Sequence, residues 1–171
     1  MYDCILVPTD GSPEGEHALE YAFDLARAHD AKIRAIYVAN VASYGGLPME
    51  TAWEGIGDAL RSEGQEAVAR VEKLAPPDLE VETKVLEGSP SRVIVDEATP
   101  ENCDLVVMGT HGRGGIDRLL LGSVAERVVR RASVPVLTVR VGEDGFEENS
   151  EGQPAAAGEG TAGPSDAEPI K

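Results

Sequence analysis

Short apolar runs alternate with stretches of helical period as far as residue 140, and that alternation constrains the fold more than any single motif. "DCILVPT" (3–9) has strand length, and Ala18, Leu19, Ala22, Phe23 and Ala26 then recur at helical spacing. Ser12 is placed to cap that helix, and Pro13 suits its first turn. "KIRAIYVA" (32–39) reads as a second strand. Residues 50–75 read as a long helix with Ile56, Leu60, Ala67, Val71 and Leu74 on one face, stopped by Pro76 and Pro77. "LEVETKVL" (79–86) alternates apolar and polar residues, as a half-exposed edge strand does. Ser89 and Pro90 repeat the helix-start pair, and "CDLVVMG" (103–109) is apolar enough for a central strand covered on both faces. A last helix over about 117–132 leads to "VPVLTVR" (134–140), where Pro135 marks a strand start or an edge. Five strands and four helices in strict alternation predict a single doubly wound α/β domain, its parallel sheet covered by helices on both faces through right-handed crossovers.

Length and charge narrow the function. The 171 residues suit one domain, expected over 1–141. No run of about 18 apolar residues is present, and the opening residues lack a basic region followed by an apolar core, so no membrane association and a cytoplasmic location are expected. A net charge of −16 without a basic patch argues against nucleic acid as a partner. Only four of the fifteen cationic residues are lysine, a halophile-like composition suited to a salt-rich interior where charge repulsion is screened. Cys4 and Cys103 have neither zinc-site nor CxxC spacing and read as buried, inert thiols. Residues 142–171 carry eight acids against one lysine, are rich in Gly, Pro and Ala, and show no apolar period. They are expected to form an acidic disordered tail.

In open parallel sheets, ligands bind beyond the carboxyl ends of the strands, where the strand order reverses. Two segments stand at such ends: "PTDGSP" after the first strand and "GTHGRGGIDRLLLGS" (109–123) after the fourth. Gly109, Gly112, Gly114 and Gly115 allow main-chain N–H groups to turn toward an anion, and Ser123 adds a hydroxyl at a helix start. Neither GxxxxGK[ST] nor GxGxxG is present, so P-loop and dinucleotide sites are unsupported, and glycine content alone fits a structural turn equally well. Asp10 can serve as a ligand contact or as the acceptor of a turn. His111 beside phosphate could shuttle protons, but a solvated or turn-stabilising imidazole is the simpler role. Ser123, His111 and Asp10 have the residue types of a hydrolytic triad without the GxSxG elbow.

The pattern Gly109-x2-Gly112-x9-Gly122-Ser123, continued by "SVAERVVRRASVPVLTV", resembles the ATP-binding signature of the universal stress protein family, and "ILVPTDGSPEGEHALEYA" is similar to that family's first strand and helix. The resemblance covers residues 1–141. It implies the strand order 3-2-1-4-5, a homodimer formed through the last strand (Val134 to Val139), and a role in stress survival without an established catalytic reaction. It further implies that Thr9 and Asp10 contact adenine and ribose, that Val38 forms an apolar wall, and that Met108 and Gly109 line the nucleoside pocket. Gly112, Gly122, Ser123 and Val124 would hold the phosphates of ATP, with Mg or Mn bound mainly by the phosphates themselves. A dimeric interaction module that works without nucleotide and a slow ATPase are the competing functions. Because the tail composition offers nothing to a packed core, truncation after Val141 is expected to leave the melting temperature and ligand affinity nearly unchanged. A fall of many degrees in a thermal melt would show that the tail docks.

Overall fold

A computed structural model describes residues 1–40, 50–110 and 121–140 of the chain. Its centre is the first strand, Cys4–Pro8 (β1), in which Ile5 and Leu6 are fully buried and Val7 nearly so. Such a strand needs cover on both faces, and the succeeding elements supply it: Pro13–His29 (α1), Lys32–Ala39 (β2), Glu50–Leu74 (α2), Val81–Glu87 (β3), Pro90–Glu97 (α3), Leu105–Gly109 (β4), Ser123–Arg131 (α4) and Val136–Val139 (β5). The sheet order is β3-β2-β1-β4-β5 with every pair parallel, as expected.

The period of two along the strands divides the core into two layers. Ile5 and Val7 of β1, with Leu105 and Val107 of β4, pack against Ala18, Leu19, Ala22, Phe23 and Ala26 of α1. Cys4 and Leu6, with Val106 and Met108, face Ile94 of α3 and Ala125 and Val128 of α4. A third cluster joins Tyr37 and Ala39 of β2 to Ala67 and Val68 of α2. At the sheet's β3 edge, the largely buried Arg34 binds Glu82 at 2.9 Å and lies 3.6 Å from Glu97. The hydrogen bond from that guanidinium holds the Glu82 carboxyl below its ordinary range.

The local signals at the helix starts act as expected for α1, where the Ser12 hydroxyl accepts from Gly15 N–H and Pro13 follows. Ser89 stands at the corresponding place before α3 but makes no capping bond. Three details differ from the sequence reading. Leu74 is 47% exposed, because the next residue, Ala75, rather than Leu74 follows Val71 against the core. The last helix begins at Ser123, with Gly122 as its N-cap; residues 117–120, expected within it, lie outside the described residues, as does the tail from 142.

The third difference is a correction. Cys4 and Cys103 are disulfide-bonded to each other, not separate thiols. Their separation of 99 residues hides the proximity: β4 pairs beside β1, which brings the two Cα atoms to 4.5 Å at the amino ends of the strands. Both side chains are buried.

The approach of α2 to the sheet depends on Gly64. A Cβ there would lie 2.6 Å from Tyr37 Cδ1 and 2.9 Å from Val85 Cγ1, whereas one at Gly55 in the same helix would meet nothing within 4 Å. Gly64→Val is therefore expected to cost about 2 kcal/mol through overpacking. Gly55→Ala should gain up to about 1 kcal/mol from helix propensity. Urea unfolding of the two variants checks the opposed signs.

Candidate functional site

The chain opens a crevice where β1 stops pairing. The β1–β2 ladder ends at Pro8↔Ile36, and the next amide, Thr9 N–H, donates to Ile36 O at 2.9 Å before the chain turns away. Pro8 itself has no N–H to extend pairing toward β4. Both neighbours continue: β2 runs on to Ala39 and β4 to Gly109. In a parallel ladder, alternate residues direct N–H and C=O to opposite sides. Ile36 faces β1, and Ala39 O accepts from Gly88 N–H on the β3 side, so the main chain of Val38 faces the space β1 has vacated. Thr110 N–H donates to Val139 O on the β5 side, so the main chain of Gly109 faces that space from the other flank. The space is a cavity of about 460 Å³.

Its walls are of two kinds. Ile36, Val38, Ile94 and Met108 form an apolar slot, the first and third being almost fully buried. At the mouth, a tight turn presents Thr9 and Asp10. Gly11 takes a φ of 73°, its N–H donates to Thr9 Oγ1 at 3.1 Å, and Ser12 donates to Asp10 Oδ1 twice, from N–H at 3.0 Å and from Oγ at 2.6 Å. Asp10 is therefore both a turn acceptor and a cavity residue. Among the described lining residues, it carries the one charged side chain.

Opposite the turn, α4 begins. Gly122, Ser123, Val124 and Ala125 line the cavity, and Gly122 supplies no side chain to cap the helix. Glu126 N–H bonds to Gly122 O, which leaves the amides before it as the positively polarised end of α4, an arrangement suited to an anion. Gly122 N–H donates to Thr110 O at 2.8 Å, so the chain leaves β4 and enters α4 from a single clasped point. The φ of Gly122 is −61°, which any residue adopts, so conformational freedom does not explain glycine at this position. What glycine omits is a side chain at a helix start that lines the cavity.

Eight of the nine residues singled out from sequence, Thr9, Asp10, Val38, Met108, Gly109, Gly122, Ser123 and Val124, therefore line one cavity. Gly112, together with His111, Gly114 and Gly115, lies outside the described residues. Sequence reasoning missed Ile36, Pro90 and Ile94. Pro90 and Ile94 could have been found from the Ser89-Pro90 helix start, since every helix of such a fold that follows a strand begins at the same end of the sheet as the ligand loops. Among the described residues, no group of three or more His, Cys, Asp or Glu could hold a metal, and no helix is long and apolar enough to cross a membrane.

Comparison with known proteins agrees with this fold. The family model of the Universal stress protein family matches residues 1–140. Universal stress protein MJ0531 of Methanocaldococcus jannaschii is 45% identical over 141 residues, covering 82% of this chain and 83% of the relative. Among solved structures, hypothetical protein MJ0577 superposes with a TM-score of 0.72 at 27% identity, over 84% of this chain and 99% of that one. A universal stress protein in complex with cAMP superposes with a TM-score of 0.58, also at 27% identity, over 81% of this chain and 97% of that one. With a matching fold, strand order and family model over four-fifths of its length, the chain belongs to the universal stress protein family.

Proposed function

We propose that this chain binds an adenine nucleotide, with ATP as the physiological ligand, and acts in the cytoplasm as a stress-response sensor or regulator without an established catalytic reaction. The observation that carries this reading is the pairing, in one cavity, of an apolar slot edged by outward-facing main chain with the uncapped start of α4. A flat heteroaromatic base fits between Val38 and Met108, and the Val38 N–H and C=O offer a donor and an acceptor to its edge. Asp10, at the mouth, accepts from ribose hydroxyls. The amides of Ser123 and Val124 receive phosphate oxygens, Gly122 gives them room, and Gly109 and Thr9 close the nucleoside end. Gly112 belongs to the same phosphate signature by sequence.

Nucleotide binding by a related structure, the one in complex with cAMP, supports the class of ligand. Asp10 would repel a bare triphosphate, so Mg or Mn bound through the phosphates improves the fit. Homodimerisation through Val134 to Val139 belongs to the same proposal. Its support is that β5 stands at the sheet edge beside β4 alone and leaves Leu137 38% exposed, since an unpaired edge favours pairing about a twofold axis. Residues 142–171 are proposed as a solvated acidic tail to this domain.

Calorimetric titration tests the site. Gly122→Val should weaken ATP binding well over tenfold, about 1.4 kcal/mol or more. Asp10→Ala should cost about 1.5–3 kcal/mol through a lost charged hydrogen bond. Magnesium should strengthen ATP binding and leave adenosine unaffected. Undiminished affinity in Gly122→Val removes the phosphate site from this reading, and a folded wild type that takes up no nucleotide favours the interaction module. For the interface, Val136→Lys with Leu137→Asp should halve the solution mass of a dimeric protein, as read by light scattering.

A further inference from the structure

Ser12 is a buried polar residue at the start of α1, and it bonds to Asp10, which stands at the mouth of the nucleotide cavity. Its hydroxyl makes two bonds in different directions. As acceptor it caps α1, taking Gly15 N–H at 3.3 Å. As donor it gives its proton to Asp10 Oδ1 at 2.6 Å, the shorter of the two contacts that Ser12 makes to that oxygen. A cap needs only the acceptor. The donated bond fixes something else: with Oγ and N–H of one residue converging on Oδ1, the plane of the Asp10 carboxylate is set by the turn before any ligand arrives.

We infer that Ser12 is a positioning residue for ribose recognition, holding the Asp10 carboxylate in the orientation that reads the ligand's hydroxyls. The inference rests on the nucleotide reading of the cavity. A carboxylate free to rotate must be ordered on binding and offers its lone pairs over a wide arc. One pinned at Oδ1 offers them along a narrow one, so it rewards a sugar with correctly placed hydroxyls over one without them. The buried serine thus couples the start of α1 to the sugar end of the site.

The test compares ATP with its dideoxy analogue, which lacks both ribose hydroxyls, by calorimetry with magnesium present. Wild type should prefer ATP by about tenfold, as expected for loss of a charged hydrogen bond. Ser12→Gly retains most of the N-cap contribution and removes the hydroxyl, so the fold should persist. Its preference should fall to within about twofold, chiefly by weaker ATP binding. Ser12→Thr, whose hydroxyl can make both bonds at the extended φ of −79°, should restore it. A role in capping alone would leave the preference of Ser12→Gly at its wild-type value. That result overturns the inference and leaves the nucleotide site standing. A wild type that binds both ligands equally removes ribose reading by Asp10 and the inference with it. No ATP binding at all overturns both readings.

Discussion

The structure depends on where one strand stops making hydrogen bonds. β1 stands at the centre of the sheet, where the strand order reverses, and its pairing ends at a proline while β2 and β4 run further. The backbone groups this strands on both flanks cannot remain unsatisfied in an apolar setting without cost. They either meet water or meet a ligand with a matching edge. A cavity with such a rim is thus a direct product of chain termination in the sheet, and the side chains refine it.

The helix starts around that cavity illustrate a division of labour. α1 begins with a serine whose hydroxyl satisfies one of its own amides, and α4 begins with a glycine that satisfies none. The same dipole is neutralised internally in the first case and left for an outside charge in the second. Glycine at 122 is informative for what it lacks and not for how it bends, because its backbone angles are ordinary.

Period and punctuation made the architecture legible in the sequence. The alternation of Cys4 and Leu6 with Ile5 and Val7 carries the two-layer core, and Ser12-Pro13 marks the start of α1 where it is found. Most of the site was legible too, through the order of motif residues rather than their contacts. Other features depend on which strands become neighbours, a property spread over the whole chain. The pairing of Cys4 with Cys103 requires β4 beside β1, and Ile94 enters the cavity only because α3 crosses that face. Leu74 satisfies the helical period yet is exposed while its neighbour Ala75 packs against the core, since the period alone does not say which of two adjacent residues turns inward at a helix end.

The clasp between Thr110 and Gly122 has a consequence for how such a chain can vary. It is a main-chain bond, so it makes no demand on the side chains at either end. It ties the end of β4 to the start of α4, so the wall of the cavity that both residues line is held together by backbone alone. A substitution at Thr110 can therefore change what the cavity presents to a ligand while the tie itself survives.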